Sequence, residues 1–150
     1  MKYLKNQKGL TLIELLAVIV ILGIISAIAV ISILNVIGKA RDQAIVANSY
    51  TLVDSARYYL KERMLQNKSI LDNKITYEEL FNEDYIEMIK DPDTRNLLDP
   101  ETNGSYVIVE GETVQAVCFK GERRNLCTKD GEESPILIGH LSTKLIVNND

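Results

Sequence analysis

The sequence KGLTLIELLAVIVILGIISAIAVISILNVI, which runs from Lys8 to Ile37, decides the fold of this chain. From Leu10 onward it holds 28 residues with a single charge, that of Glu14. At about 1.5 Å per residue, a helix of this length spans roughly 42 Å, more than the ~30 Å of a bilayer core. Three lysines and no acid precede the stretch, which predicts a single pass with the N-terminus in the cytoplasm.

Glu14 is the residue that an ordinary membrane helix does not explain. A carboxylate near the centre of a bilayer costs about 2.5–3.5 kcal/mol, and less near an end. No Lys or Arg lies between Leu10 and Ile37 to pair with it. A cut between Gly9 and Leu10 would create an α-amine one helical turn before Glu14, where the helix dipole also favours a negative charge.

Two other interpretations of this segment explain less. A secretory signal cleaved at Ala27-Ile28-Ala29 would have a core that is too long, would contain Glu14, and would leave a strongly apolar new terminus. A plain membrane anchor explains the length of the segment but not its carboxylate. Both predict that the apolar stretch is removed or stays in the membrane, so neither assigns a role to Glu14.

The run from Lys8 to Leu16, KGLTLIELL, resembles the processing motif of type IV prepilins and pseudopilins. The resemblance implies that a prepilin peptidase cuts after Gly9 and N-methylates Leu10. It further implies that Glu14 pairs with the terminal amine of a neighbouring subunit during filament assembly. Many members carry a Pro where Ile31 stands here, so local melting of the helix would have to centre on Gly23.

The same resemblance predicts the organisation and the partners of the chain. We expect a leader at 1–9, a transmembrane and filament-core helix at 10–37, and a globular head at 38–150. The expected partners are other pilin subunits of the same or another kind, the peptidase, and an assembly platform with its ATPase. The protein would be a single-pass membrane protein before assembly and part of a cell-surface filament afterwards. The loops at 91–94 and 99–100 resemble those of pilins from low-GC Gram-positive bacteria.

The predicted fold class is α+β, with a long N-terminal helix against a small antiparallel sheet. Apolar residues continue at spacings of three and four to about Leu65, where Asn67-Lys68-Ser69 ends the helix. The first half of the helix is apolar all round, and the second half is amphipathic. We expect its buried stripe to consist of Val46, Tyr50, Val53, Ala56, Leu60 and Met64.

The remaining residues predict the elements of the head. Thr76-Tyr77-Glu78-Glu79 has the pattern of a capping box and starts a short helix to about Phe81. A second short turn is expected over 85–89, then a loop over 91–103. The runs 106–109 and 114–119 predict a hairpin with a Gly turn. A third strand is expected at 136–138 or at 144–147, and the acidic side chains between Glu78 and Asp93 are expected to form a solvated face.

Cys118 and Cys127 are separated by eight residues, a spacing that matches neither a redox C-x-x-C nor a zinc pattern. Outside the membrane such a pair is expected to form a disulfide. The loop between them carries Lys120, Arg123 and Arg124, which could contact DNA or a neighbour's acidic face. The residues from Gly38 onward carry 14 basic and 20 acidic side chains, so nucleic-acid binding has no support from the overall charge.

An enzyme is not expected, because His140 has no Ser or Asp pattern around it and no phosphate-binding Gly-rich loop is present. No cofactor and no metal site are expected. Three interpretations stay open from the sequence: a type IV pilin, a type II secretion or competence pseudopilin, and a membrane-anchored extracellular binding domain with an uncleaved helix. The sequence does not distinguish adhesion, motility, DNA uptake and secretion as the role of a filament.

Overall fold

The computed structural model describes residues 11–68 and 72–149 of the chain. Its helices are α1 (Leu12–Leu65) and α2 (Tyr77–Asn82), with two short 3-10 helices at Ile138–His140 and Thr143–Leu145. The strands are β1 (Lys74–Thr76), β2 (Tyr106–Glu110), β3 (Thr113–Lys120), β4 (Arg124–Leu126), β5 (Thr128–Lys129), β6 (Glu132–Glu133), β7 (Ile136–Leu137) and β8 (Val147–Asn148). One long N-terminal helix with a small antiparallel sheet confirms the predicted α+β class.

The described residues divide into two units, one up to Gly38 and one from Lys39 onward. In the first unit, α1 is long and apolar enough to cross a membrane, by length and composition alone. Its apolar side chains are exposed along the described length. The predicted leader at 1–9 and the first residue of the predicted core helix, Leu10, lie outside the described residues.

The C-terminus of α1 falls where the sequence predicts it, at Leu65. Asn67 adopts a left-handed conformation, with φ of 53°. Its amide donates to the carbonyl of Met64 at 3.0 Å, and the amide of Lys68 donates to the carbonyl of Arg63 at 3.0 Å. This pair of bonds is the Schellman motif, which satisfies the last carbonyls of a helix and explains why Asn67 ends it. Ser69 lies outside the described residues.

The buried face of α1 in the second unit differs in part from the predicted stripe. Val53, Ala56 and Leu60 are buried as predicted, but Tyr50 and Met64 are 39% and 41% exposed. The stripe is completed instead by Ile45, Ser49, Leu52 and Tyr59. Helical spacing alone is compatible with two overlapping buried stripes on this helix. Ser49 can lie in the buried stripe because its hydroxyl donates to the Ile45 carbonyl at 3.0 Å.

The main sheet has the strand order β1-β2-β3-β4-β8, with β7 also pairing with β3. All of these pairs are antiparallel. The predicted hairpin is β2–β3, in which Glu110 faces Thr113 across a two-residue turn. Gly111 takes φ of 61°, a conformation that glycine adopts without strain. Val107, Val117 and Phe119 belong to the same core cluster as the buried side chains of α1.

Three other predictions for the head have mixed outcomes. The short helix starts as predicted, because the hydroxyl of Thr76 accepts the Glu79 amide at 3.1 Å. The turn expected over 85–89 is wrong: this segment is not helical, and its buried Ile86 and Ile89 belong to the core. Of the two candidate runs for a third strand, 136–138 contributes β7, whereas 144–147 overlaps the 3-10 helix Thr143–Leu145 and adds only Val147 to β8.

Candidate functional site

Glu14 lies in the first turn of α1, where it forms a reciprocal cap with Thr11. The amide and the hydroxyl of Thr11 donate to Glu14 Oε2 at 2.7 and 2.8 Å. The Glu14 amide donates back to Thr11 Oγ1 at 3.4 Å, and the Thr11 carbonyl accepts the Leu15 amide at 3.2 Å. This is a capping box, so Thr11-Leu12-Ile13-Glu14 both starts the helix and fixes the carboxylate at its N-terminus. The sequence analysis missed this capping role of Thr11 and Glu14, although their T-x-x-E spacing is typical of a capping box.

The cap leaves part of the carboxylate available. Both bonds from Thr11 go to Oε2, and within residues 11–68 and 72–149 no bond to Oε1 is recorded. A carboxylate has about four lone-pair sites, so Glu14 can accept a further charged donor without losing its cap. Glu14 is exposed, with exposed Leu12, Ile13 and Leu15 around it. An ammonium group arriving here would meet a carboxylate of fixed position in apolar surroundings, where a charge-assisted bond is strong.

The other predicted residues of this segment are described only in part. Gly9 and Leu10, the predicted processing residues, lie outside the described residues. Gly23 lies within the continuous helix, and a Cβ added there would meet nothing within 4 Å. Three residues further on, the Ser26 hydroxyl donates to the Leu22 carbonyl at 2.7 Å. A hydroxyl bonded in this way weakens the backbone ladder slightly, and Gly23 lowers the helix propensity by about 1 kcal/mol relative to Ala.

Cys118, on β3, and Cys127, which follows β4, are linked by a disulfide with Cα atoms 4.4 Å apart. The carboxylate of Glu133 lies within 4.8 Å of the sulfur atoms. Sulfur atoms in a disulfide carry no thiolate, so this group does not offer the charge that a zinc site needs. The disulfide instead closes the β3–β4 connection and buries both sulfur atoms beside Tyr106.

The basic loop between the cysteines is largely neutralised within the chain. The Lys120 ammonium donates to Glu133 Oε2 at 2.5 Å, and this bond lowers the pKa of the Glu133 carboxyl. Arg124 binds Asp93 with two parallel bonds of 2.8 Å and Asp42 with one of 2.5 Å. The bonds to Asp93 raise the pKa of the Arg124 guanidinium, and the bond to Asp42 raises it further. Two of the three cations that could contact DNA are therefore already paired with acids of the same chain.

A buried carboxylate, Asp91, was not found by sequence reasoning, which placed it on a solvated acidic face. Asp91 is 1% exposed. Its Oδ1 accepts the amides of Asp93 and Thr94, both at 2.8 Å, and its Oδ2 accepts the amide of Glu122 at 2.9 Å. Burial raises the pKa of this carboxyl, but the backbone donors outweigh burial and the net pKa is lowered. Asp91 therefore joins the loop over 91–98 to the β3–β4 turn.

Comparison with known protein families identifies a motif in the N-terminal segment. Residues 4–34 match the family model described as the prokaryotic N-terminal methylation motif. This motif is the class III signal of type IV pilins and pseudopilins, so the predicted resemblance is confirmed for this part of the chain. No curated protein and no solved structure matches the chain. The motif supports the pilin and pseudopilin class, whose members are structural and assemble with other pilin subunits after prepilin peptidase processing.

Proposed function

We propose that this protein is a structural subunit of a type IV pilus-like filament. The observation that carries the proposal is a methylation motif over residues 4–34 whose carboxylate, Glu14, is fixed at the start of an exposed apolar helix. In this proposal the peptidase cuts between Gly9 and Leu10 and methylates the new amine. That amine, on one subunit, donates to Glu14 of the next.

The division of labour along the chain follows from this role. Residues 1–9 are the leader, 10–37 anchor the subunit in the membrane and then pack in the filament core, and 38–150 form the outward head. The platform and ATPase extract the subunit from the bilayer. Apolar helices gain little from leaving lipid for one another, so the charge pair is what selects axial register in the core. Gly23 is where the helix would bend or melt during packing.

The mass of the N-terminal peptide tests the processing step. We expect the mature protein from its own membrane fraction to start at Leu10 and to be heavier by one CH₂ unit, because a methyl group replaces a hydrogen on the new amine. A Gly9→Val variant should keep the leader and form no filaments. A chain that still starts at Met1 in the native cell would instead support the anchored extracellular domain with an uncleaved helix.

A set of substitutions separates the charge of Glu14 from its cap. Glu14→Gln keeps an acceptor for the Thr11 amide but removes the charge, whereas Thr11→Ala removes the hydroxyl of the cap and keeps the charge. Ser32→Ala, at another polar position of the apolar segment, is the matched control. We expect Glu14→Gln to be inserted and processed but to yield about tenfold fewer filaments, with Ser32→Ala unchanged. Normal assembly of Glu14→Gln would contradict the charge pair.

The contribution of this chain to surface fibres distinguishes a pilin from a pseudopilin. Electron microscopy of surface fibres, with and without the gene for this chain, shows whether it forms the bulk of a long filament. Loss of all long fibres supports a major pilin. Unchanged fibres with loss of a secretion or DNA-uptake phenotype would support the type II secretion or competence pseudopilin instead.

A further inference from the structure

The two cysteines of the chain lie next to each other because of strand pairing, and not only because of their bridge. Phe119 on β3 faces Leu126 on β4 in the antiparallel register, so Cys118 and Cys127 are the next facing pair. Their Cα atoms are 4.4 Å apart, the separation of a pair without hydrogen bonds in an antiparallel ladder. The backbone of the head therefore sets both positions, whether or not a bond joins the sulfur atoms.

Hydrogen bonds that do not involve the sulfur atoms hold Cys127 in place. Its amide donates to Asn125 Oδ1 at 3.1 Å, and its carbonyl accepts the Ser134 amide at 2.7 Å. Asn125 is fixed in turn, because its Nδ2 donates to Asn149 Oδ1 at 2.7 Å. We therefore expect the head to keep this arrangement when the bridge is open.

Glu133 brings a carboxylate to the same place from the β5–β6 hairpin. One of its oxygens and the two sulfur atoms all lie within 4.8 Å of one another. Tyr106 donates to Oε1 at 2.6 Å and Lys120 donates to Oε2 at 2.5 Å, so the carboxylate has a fixed orientation. Donors of this kind usually orient the carboxylates that bind metals, and two bonds leave lone pairs for an ion.

The distances and charges of this group suit zinc once the bridge is open. Tetrahedral zinc with Zn–S bonds of about 2.3 Å and a Zn–O bond of about 2.1 Å needs ligand atoms roughly 3.6–3.8 Å apart. Rotation about the Cα–Cβ bonds lets the freed sulfur atoms separate to this distance. Two thiolates and Glu133 carry three negative charges, which Zn²⁺ and the Lys120 ammonium together neutralise. Sulfur ligands favour Zn²⁺ over Ca²⁺ and Mg²⁺, which bind oxygen ligands.

A polar cleft of about 380 Å³ gives an ion a route to this group. Lys120, Asn125, Thr128 and Glu133 are among the residues that line it. The side chain of Glu133 is 47% exposed, whereas both cysteines are buried. An incoming ion therefore meets the carboxylate first and the sulfur atoms second, and a water molecule from the cleft can occupy the fourth position.

We propose that the head, while its cysteines are still reduced, binds Zn²⁺ through the thiolates of Cys118 and Cys127 and the carboxylate of Glu133. Binding releases the two thiol protons, because a thiol that binds a metal is deprotonated. Every chain passes through the reduced state, since the bridge forms only after synthesis. The C-x8-C spacing did not predict this site, because strand pairing and the β5–β6 hairpin bring the ligands together.

The ion and the bridge exclude each other. When an oxidant with a disulfide reacts, the two cysteine thiolates lose two electrons and form the S–S bond of the bridge. The oxidant gains these two electrons and becomes two thiolates, and Zn²⁺ leaves. Until then the ion holds the β3–β4 connection closed and keeps the thiols from pairing with another molecule. The site lies in the head and does not depend on filament assembly.

Cobalt spectroscopy of the reduced full chain in detergent micelles tests the ligands directly. A trialkylphosphine opens the bridge, takes an oxygen atom from water and leaves two thiols, and a mass gain of two hydrogens confirms the opening. We expect Co²⁺ to give the charge-transfer band of sulfur ligands and the intense visible bands of a tetrahedral site. One equivalent of Zn²⁺ should remove both signals. The bridged chain and the Cys118→Ser variant should show no charge-transfer band.

The affinity for Zn²⁺, measured by competition with a coloured chelator, tests the carboxylate. Glu133→Gln should weaken binding by the reduced chain about tenfold or more, because the third charged ligand is lost. Glu132→Gln, at the neighbouring exposed position of β6, is the matched control and should bind as tightly as the wild-type chain. Circular dichroism of each reduced variant checks that the head is folded. Zn²⁺ should raise the thermal midpoint of the reduced chain and leave that of the bridged chain unchanged.

Three results would overturn the proposal. The first is a reduced head that unfolds, because the ligands come together only in the folded chain. The second is a cobalt spectrum without the sulfur band. The third is equal affinity of Glu133→Gln and Glu132→Gln for Zn²⁺, which would remove Glu133 from the site. None of these results bears on the proposed function, which is tested by processing at Gly9 and by the assembly of Glu14→Gln.

Discussion

Asp91 is the buried charge on which the two loops of the head depend. Asp91→Asn keeps the shape but places an NH₂ group or a weaker acceptor against the amides of Thr94 and Glu122. We expect the variant to lose about 1.5–3 kcal/mol of unfolding free energy near neutral pH, the size of bonds to a charged group. Urea unfolding of the full chain in detergent micelles measures the difference.

The pH dependence of that difference has a defined sign. The pKa of Asp91 is lowered in the folded protein, so its stabilisation is complete above the unfolded pKa of about 3.9 and is lost as the pH falls through the folded value. The difference in unfolding free energy between the wild-type protein and the Asp91→Asn variant should therefore narrow below about pH 4. A difference that stays constant into strong acid would show that the charge of Asp91 does not contribute.

Gly121 is the residue that makes room for this carboxylate. A Cβ at Gly121 would lie 2.6 Å from Asp91 Oδ2 and 2.7 Å from the Arg124 carbonyl, both far inside contact distance. Gly121→Ala should cost about 1–3 kcal/mol of unfolding free energy. Gly139→Ala is the control, because a Cβ there meets nothing within 4 Å. Equal thermal midpoints for the two variants would contradict the close approach.

Single residues also show where sequence reasoning reached its limit. Glu14 could be singled out, because a lone charge in an apolar run is visible without coordinates. Asp91 could not, because beside the local amides of Asp93 and Thr94 it accepts the amide of Glu122, which is 31 residues away. Its burial follows from a tertiary contact that no local pattern encodes.

At the scale of elements, α2 is fixed to α1 through the hydroxyl of Tyr59. That hydroxyl donates to Glu79 on α2 and accepts from Arg63 Nε on α1 at 2.9 Å. Its ring also packs edge-to-face on Tyr85 with centroids 5.1 Å apart. The capping pattern at Thr76 predicted the start of α2, but Glu79 bonds to Tyr59 rather than back to Thr76 in the way that a full capping box would require.

Tyr59→Phe isolates this hydroxyl while keeping the ring. We expect it to lower the unfolding free energy by about 1 kcal/mol, because Glu79 and Arg63 lose their shared partner but stay close enough to interact. Tyr58→Phe, at the neighbouring exposed position, should be neutral. Chemical denaturation of the two variants compares them, and equal losses would mean that the hydroxyl of Tyr59 does not contribute.

One element escaped the sequence analysis although its pattern is strong. β5 and β6 form a hairpin across Asp130-Gly131, which have φ of 53° and 84°. Asp-Gly with two positive φ values is the preferred type I′ turn, so this hairpin was predictable. In contrast, β1, β4 and β8 have two or three residues each, and strands this short exist only because neighbours pair with them.

At the scale of the whole molecule, Arg124 ties three parts of the head together. It connects Asp42 on α1 and Asp93 in the loop to its own strand β4. Arg124→Met would leave Asp93, whose side chain is 8% exposed, without its countercharge. We expect a loss of about 3 kcal/mol, at the low end for a buried pair because Asp42 is partly exposed.

Two companion variants make this prediction specific. Arg124→Lys should fall between wild type and Arg124→Met, because an ammonium cannot form the two parallel bonds to Asp93. Arg123→Met, at the adjacent exposed position, should stay within about 0.5 kcal/mol. Thermal unfolding of the full chain in detergent, followed by circular dichroism, ranks them. A ranking in which Arg123→Met is as costly as Arg124→Met would contradict the network.

The two units differ in how much of their structure can be predicted from the sequence. The apolar half follows from a local rule, hydrophobicity over 28 residues, and its motif is recognisable from nine residues. The head follows from pairings such as Asp42 with Arg124, across 82 positions. The α+β class, the β2–β3 hairpin and the ends of the helices could be predicted from local sequence patterns. The strand order and the ion pairs of Arg124 could not, because they depend on the tertiary fold.

The close approach of Gly121 to Asp91 has a consequence for the evolution of such heads. A side chain at 121 would meet both the carboxylate of Asp91 and the backbone carbonyl of Arg124, so it is tolerated only on a background in which 91 has already lost its carboxylate and the turn at 124 has shifted, and the order of these events matters. Lineages that descend from a common ancestor should therefore show linked changes at these positions. A family tree in which 121 diversifies while 91 stays Asp would count against this mutual dependence.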